Sequence, residues 1–305
     1  MIGENVLTFI DNHPNLADEY KIPGCSQIDP HPDFQDSNTY PNFQKEFHDH
    51  MDQIQNIIQN KESKTTYKFG DGDYYFLKKE HFGATEVGKR TTNKSFNEHL
   101  DHQEWLSGAL KNDFVNVEIY SRNRNMFYEI FPDGIIHHPG EFAYALVANR
   151  WLFSALRGKK VGLIGAKEKV QIIEELVKHD QYKEYVGIDG FHEYIYIPQK
   201  FACDNLQGVE QSVGDTLQKS ECDVFLIAIG HIKSALTHRL PKYKPVLYYD
   251  IGSGLDALAG CQNNGRPYFG NWINFRLRDY DYSSVDYYQY FGDTKENEGN
   301  HIYLD

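Results

Sequence analysis

Residues 160–165 (KVGLIG) and 223–230 (DVFLIAIG) decide the fold, because both are short apolar runs that end in glycine. Such runs, rich in Val, Ile and Leu, are typical of strands buried on both faces of a parallel sheet. A third run, residues 245–250 (PVLYYD), leads into another glycine-rich turn. Helical patterns follow the three runs at residues 168–178, 232–239 and 255–260. This alternation predicts an α/β, Rossmann-like fold with a mostly parallel sheet and helices on both faces.

The rest of the chain extends this pattern. Strands are predicted at residues 65–69 and 115–120, and helices at 42–60, 96–110, 141–156 and 209–218. The strand after residue 165 has two candidates, 185–188 and 193–197. We expect an N-terminal arm and helix over residues 1–60 and a main domain over 61–291 that includes an aromatic C-terminal extension. Residues 292–305 are predicted to be a polar tail with little regular structure.

Composition excludes several classes of protein. The net charge of -13 disfavours broad binding to nucleic acid or to anionic lipid. The N-terminus lacks the features of a signal peptide, and no stretch is long and apolar enough to be a transmembrane segment. The 4 cysteines show no metal-ligand spacing. We therefore expect a cytoplasmic protein, and the sequence leaves a homo-oligomer open.

Residues 67–73 (YKFGDGD) place two carboxylates one residue apart after a predicted strand. Mg²⁺ and Mn²⁺ prefer hard oxygen ligands, and Mg²⁺ is commonly held by one or two carboxylates together with substrate phosphates. Gly70 and Gly72 allow a sharp turn and a close approach to a ligand. Asp71 and Asp73 are therefore candidate metal ligands beside a diphosphate. The alternative is an ordinary acidic turn, since Asp and Gly are common turn residues.

Three predicted strands end in turns that suit a nucleotide. Ligands of open α/β sheets bind at the carboxyl ends of the strands, where backbone N–H groups can bind phosphate. The alternative for each turn is a tight connection from strand to helix. The candidate nucleotide-binding residues in these turns, beside Gly70 and Gly72, are Gly165, Lys167, Gly230, His231, Asp250, Gly252 and Ser253.

At these motifs the sequence resembles the GT-D-fold glycosyltransferases. Residues 69–73 (FGDGD) are similar to the FGDGE signature of that family, and residues 159–165 to its GKKVLIV-type strand. Residues 195–198 (IYIP) resemble its next segment, and residues 222–230 and 249–256 its closing runs. The resemblance covers about residues 65–258 in the same order, although each motif is short.

The resemblance implies a metal-dependent enzyme that moves a sugar from a nucleoside diphosphate donor, UDP in particular, to a glycan or glycoprotein. Asp71 and Asp73 would then bind Mn²⁺ or Mg²⁺. The chain departs from the family in two places. Asp73 stands where the family has Glu, which shortens the carboxylate by one methylene, and Gly252-Ser253-Gly254 stands where the family has Gly-His.

Two further residues are candidates for catalysis. Arg150 matches an arginine of the family, and its guanidinium would neutralise charge on the leaving diphosphate. A salt bridge to a helix neighbour explains Arg150 equally well. Asp256 is a candidate base for an acceptor hydroxyl, or a surface carboxylate. A Rossmann methyltransferase or oxidoreductase, and a non-catalytic module that binds nucleotide sugars, stay open as alternatives.

Overall fold

A sheet of seven parallel strands forms the centre of the molecule. The computed structural model describes residues 43–78, 102–117, 121–131, 138–148, 156–261, 273–285 and 301–305. The sheet and the helices that cover it confirm the predicted α/β, Rossmann-like fold. Among the helices in these ranges, none combines the length and the apolar character needed to cross a membrane.

The strands alternate with helices along the chain, as the sequence predicts. They are β1 (Lys64–Phe69), β2 (Phe114–Val117), β3 (His138–Pro139), β4 (Val161–Ala166), β5 (Glu193–Ile197), β6 (Val224–Ala228) and β7 (Leu247–Asp250). Their order in the sheet is β3-β2-β1-β7-β6-β4-β5. Since all are parallel, their carboxyl ends meet at one edge. β1 therefore lies beside β7, and β7 beside β6, although β1 comes much earlier in the chain.

Ten α-helices lie in the described ranges. They are α1 (Phe43–Gln59), α2 (Asp71–Lys78), α3 (His102–Ala109), α4 (Ser121–Ile130), α5 (Glu141–Ala148), α6 (Lys167–Leu176), α7 (Asp180–Val186), α8 (Leu206–Leu217), α9 (Lys233–Leu236) and α10 (Gly254–Leu258). Of the two candidate strands after β4, residues 193–197 are the strand, because Tyr185 lies in α7. The loop predicted at Asp71 is instead the first turn of α2.

Both faces of the sheet are buried. Successive side chains of a strand point to opposite faces, so neighbouring residues enter different apolar layers. Leu163 and Leu226 belong to the layer that contains α1, α5 and α6, whereas Ile164 and Ile227 belong to the layer that contains α3, α4 and α8. This explains why β4 and β6 are continuous apolar runs rather than alternating ones.

Helix α1 packs on the sheet through one apolar face. Met51, Ile54, Ile57 and Ile58 recur at helical spacing and are each at most 4% exposed. All four join the same apolar layer as β4 and β6. The helix predicted at residues 42–60 is confirmed as Phe43–Gln59. Residues 1–41, predicted to be an arm, lie outside the described residues.

The C-terminal region forms a second, smaller sheet. Strands β8 (Asn274–Leu277) and β9 (His301–Leu304) pair in parallel. Phe275 and Leu304 are buried against the main core. The expectation of little regular structure in the polar tail is therefore wrong for residues 301–304, because this largely apolar end of the tail pairs with β8 and buries Leu304. Tyr282, in the aromatic extension, is buried and accepts a hydrogen bond from the backbone N–H of Leu277 at 3.0 Å.

Candidate functional site

A cavity of about 320 Å³ lies at the carboxyl ends of β1, β6 and β7. This is the edge at which open α/β sheets bind their ligands. Ten of the predicted site residues line the cavity, namely Gly70, Asp71, Gly72, Asp73, Gly230, His231, Asp250, Gly252, Ser253 and Asp256. Segments that are far apart in sequence thus meet at one place because the sheet order places their strands side by side.

Asp71 and Asp73 both lie in the first turn of α2, where the helix dipole favours negative charge. Asp71 is exposed, whereas Asp73 is only 4% exposed. The backbone N–H of Gly70 donates to Oδ2 of Asp73 at 2.9 Å, and that of Gly72 donates to Oδ1 of Asp71 at 2.8 Å. Oδ1 of Asp73 is buried and has no hydrogen-bond partner within the protein. One oxygen of Asp73 is therefore left for a ligand.

Asp250 connects the ends of β1 and β7. Its Oδ2 accepts a hydrogen bond from the backbone N–H of Lys68 at 2.9 Å, and its Oδ1 accepts one from Gly252 at 2.9 Å. Its own backbone N–H donates to Oγ1 of Thr66 at 2.7 Å. Both carboxylate oxygens of Asp250 are thus engaged by the protein. This arrangement favours a positioning role for Asp250 over direct contact with a nucleotide.

Lys233, the first residue of α9, places a buried ammonium among these carboxylates. Its Nζ lies 3.0 Å from Oδ2 of Asp73 and 3.6 Å from Oδ2 of Asp250. The ammonium also donates to the backbone carbonyl of Lys68. Burial opposes the charged form, but Asp250 and Asp73 outweigh burial and raise the pKa of Lys233. The ammonium stays protonated and neutralises part of the acidic charge.

His231 and Cys203 line the cavity as neutral groups. Burial, and then the nearby ammonium of Lys233, lower the pKa of His231 to about 3. Its ring packs edge-on against Phe76, with the ring centroids 4.7 Å apart. Burial also raises the pKa of the Cys203 thiol. Neither residue supplies charge at neutral pH, so His231 is suited to hydrogen bonding rather than to clamping a phosphate.

Asp256 forms an ion pair with Lys169 of α6 at the cavity wall. The Lys169 side chain is 7% exposed and that of Asp256 is 20% exposed. Asp256 therefore lies in the cavity rather than on the outer surface. The ion pair fixes the position of the carboxylate, and a carboxylate held in place can act as a general base.

Three of the predicted site residues are not placed in the cavity. Gly165 packs inside the fold, since a Cβ there would lie 2.7 Å from Cδ2 of Leu255 and 3.0 Å from Cγ2 of Val170. Its glycine permits close packing between β4 and two helices. Lys167 begins α6 and is not among the lining residues. Arg150 lies outside the described residues.

The sequence prediction missed the three lysines of the cavity lining, Lys68, Lys169 and Lys233. A signal for Lys169 exists, because it shares the apolar stripe of α6 with Ile172, Ile173 and Leu176. A lysine in such a stripe must be paired or must reach a polar cavity. Lys233 has no comparable signal, since a helix of four residues shows no periodicity.

The acidic residues fit a divalent cation in part. The spare oxygen of Asp73 and the exposed carboxylate of Asp71 are hard ligands on one helical turn. The described residues contain no group of three His, Cys, Asp or Glu side chains that would hold a metal by themselves. A cation at Asp71 and Asp73 would therefore need further oxygens from a ligand such as a diphosphate.

Comparison of the chain with models of protein families, with curated proteins and with solved structures found no match. The similarity to GT-D glycosyltransferases thus rests on the short motifs within residues 65–258. Because one fold supports many activities, function is inferred from the geometry and chemistry of the cavity.

Proposed function

We propose that the protein transfers a sugar from a nucleoside diphosphate donor, a UDP-sugar, to a glycan or glycoprotein acceptor, with Mn²⁺ or Mg²⁺. One observation carries this proposal. The acidic turn of Asp71 and Asp73 lines the same cavity as the glycine turns after β6 and β7. The volume of this cavity, about 320 Å³, lies at the small end of the range for small-molecule sites.

The charges of the cavity support a diphosphate that arrives with a metal ion. Its lining carries four carboxylates, Asp71, Asp73, Asp250 and Asp256, against the three lysines. A diphosphate alone would meet a surplus of negative charge. A divalent cation removes that surplus, and when bound it would stabilise the negative charge on the departing diphosphate. Asp71 and the spare oxygen of Asp73 would hold it.

The other residues of the cavity have positioning roles in this proposal. The backbone N–H groups after Gly230 and Gly252 would orient the donor at the strand ends. Asp256, held by Lys169, would accept the proton of the acceptor hydroxyl. Arg150 stays a prediction for binding the leaving diphosphate. The proposal also keeps a cytoplasmic location, which the free thiols of Cys203 and Cys222 support.

Donor turnover tests the proposal. The purified protein is incubated with several UDP-sugars, with and without Mn²⁺, and released UDP is measured. We expect Mn²⁺-dependent release that is lost when Asp71→Asn and Asp73→Asn are combined. Asp180→Asn is a matched control, because Asp180 also lies in the first turn of a helix and its side chain is 96% exposed. Full activity in the double variant would contradict the metal assignment.

A panel of ligands separates this proposal from the other classes of Rossmann-like protein. A ligand at 100 times its Kd adds about 2.7 kcal/mol to the free energy of unfolding. This raises Tm by roughly 4 °C for a chain of this size. We expect that shift with UDP and Mn²⁺ together. Stabilisation by S-adenosylmethionine or by a nicotinamide cofactor instead would reject the transferase, and binding without turnover of any donor would leave a non-catalytic module.

A further inference from the structure

The ammonium of Lys233, at the start of α9, contacts groups at the ends of three other elements, β1, α2 and β7. Lys233 follows β6, and its three partners are the carbonyl of Lys68 in β1, Asp73 of α2 and Asp250 at the end of β7. The side chain is 10% exposed, and those of Asp73 and Asp250 are at most 5% exposed. The ammonium is therefore a fixed part of the cavity rather than a mobile surface charge.

This position makes Lys233 a competitor of any metal ion at Asp73. The ammonium already takes Oδ2 of Asp73, which leaves only Oδ1. A divalent cation at Oδ1 would lie close to a like charge with little intervening water, where repulsion is stronger than at the surface. A diphosphate reverses this balance, because its negative oxygens attract the metal ion and the ammonium at the same time.

We propose that Lys233 makes the binding of a divalent cation depend on the diphosphate. In the free protein its ammonium repels the cation and weakens its binding. When the diphosphate is bound, the phosphates relieve this repulsion. The inference rests on the proposed function and adds a regulatory property to the same site. Lys233 is a positioning residue in this view, because it acts through Asp73. The consequence is a protein that binds its metal and its donor together.

Mn²⁺ titration by calorimetry tests the inference without any turnover. Wild type, Lys233→Met and Lys64→Met are titrated with and without saturating UDP. In wild type we expect at least tenfold tighter Mn²⁺ binding with UDP than without it. Without UDP, Lys233→Met should bind Mn²⁺ at least tenfold more tightly than wild type, and UDP should then add less. Lys64→Met is the matched control, since it removes a lysine that pairs with Asp113 at the amino end of β1, outside the cavity lining, and it should change the Mn²⁺ affinity by less than threefold.

The outcomes for the inference and for the proposed function are distinguishable. If wild type binds no Mn²⁺ even with UDP, both are overturned. If wild type binds Mn²⁺ with UDP, but Lys233→Met binds Mn²⁺ alone no more tightly than wild type, only the inference is overturned. Circular dichroism checks each fold. If Lys233→Met does not fold, Lys233→Gln keeps a hydrogen-bond donor without the charge and should show the same tightening, whereas Lys233→Arg should resemble wild type.

Discussion

Asp71 and Asp73 share one helical turn but differ in what they do for the folded protein. Asp73 is buried, accepts from the backbone of Gly70 and pairs with Lys233. Asp71 is exposed, and its Oδ1 accepts a hydrogen bond from the N–H of Gly72 in the same turn. Removing one partner of a buried ion pair is destabilising because it leaves the other charge uncompensated, whereas removing an exposed carboxylate changes stability little. The two acids can therefore be separated by experiment.

Substitution by Asn should affect stability at only one of these positions. We expect Asp73→Asn to lower the free energy of unfolding by about 1–3 kcal/mol, because Lys233 loses a buried counter-charge. Asp71→Asn should leave the free energy of unfolding nearly unchanged. Both variants should lose the joint stabilisation by UDP and Mn²⁺. Urea unfolding measures the first effect and thermal shift the second; equal destabilisation by the two variants would contradict the burial of Asp73.

His50 of α1 is a buried neutral histidine outside the cavity lining. Its Nε2 lies 3.0 Å from the hydroxyl of Tyr249. Burial, and then the neighbouring His138, lower the pKa of His50 to about 3, against about 6.5 in an unfolded chain. Between these two pH values the unfolded state binds one more proton than the folded state. Stability is therefore highest above about pH 6.5 and falls as the pH drops toward 3.

Comparison of wild type with His50→Gln should reveal this titration. The difference in free energy of unfolding between the two should shrink by about 2 kcal/mol from pH 8 to pH 5. The reason is that protonation of His50 stabilises the unfolded state of wild type, and His50→Gln has no such group. Tyr249→Phe is the control: it removes the same hydrogen bond but leaves His50 in place. A difference that does not change with pH for His50→Gln would show that the pKa of His50 is the same in the folded and the unfolded protein.

At the residue level, the sequence predicts the carboxylates that follow strands better than the lysine that pairs with those carboxylates. Asp71, Asp73 and Asp250 follow or end apolar runs, and parallel strands bring such positions to one edge. Lys233 escapes prediction because one partner, Lys68, is 165 residues away, and no local pattern marks a lysine as the counter-ion of Asp73 and Asp250. Which partners a buried charge finds depends on the order of strands in the sheet.

At the scale of elements, α3 and α9 approach each other at Gly108. A Cβ at this position would lie 2.2 Å from the backbone carbonyl oxygen of Ser234 and 3.2 Å from Cα of Ala235. Neither contact can move without moving the backbone of α9. Since α9 also begins with Lys233, the packing of α3 helps to fix the ammonium in the cavity.

Gly108→Ala should therefore disturb both stability and the cavity. We expect a loss of about 1–3 kcal/mol from overpacking, although alanine is the better helix former. Mn²⁺ and UDP should also bind more weakly together, because α9 must shift. Ser107→Ala, at an exposed neighbouring position of α3, should change stability by no more than about 0.5 kcal/mol. Urea unfolding and Mn²⁺–UDP titration measure the two effects; a stabilised Gly108→Ala would contradict the close approach.

The sequence predicts whether an element is a strand or a helix where its apolar pattern is clear. The runs at β4, β6 and β7 and the stripes of α1, α6 and α8 are long enough for their periods to be distinct. The start of α2 was missed, because Gly70-Asp71-Gly72 resembles a turn while the structure uses the two acids as first-turn residues. Strand β9 was missed because its four residues follow a polar stretch and pair with β8, which lies earlier in the chain.

On the scale of the whole molecule, the sheet divides the core into two apolar layers, and α1 completes one of them. Met51, Ile54, Ile57 and Ile58 fill that layer beside the central strands. Sequence grouped this helix with the N-terminal arm and began the main domain at residue 61. The burial of its apolar face argues that α1 folds as part of the main domain.

A chain that begins at residue 61 should therefore fail to fold cooperatively. Truncating one large buried aliphatic side chain lowers the free energy of unfolding by about 2–5 kcal/mol. Losing four such side chains therefore costs as much as the 5–15 kcal/mol that stabilises a typical domain. Thermal unfolding followed by circular dichroism should show no sharp transition. Within the full chain, Ile54→Ala should lower the free energy of unfolding by about 2–5 kcal/mol, whereas Gln59→Ala, at an exposed position of the same helix, should change it little. A shortened chain that unfolds sharply near the Tm of the full chain would show instead that the boundary lies at residue 61 and that α1 is an accessory to an independently stable domain.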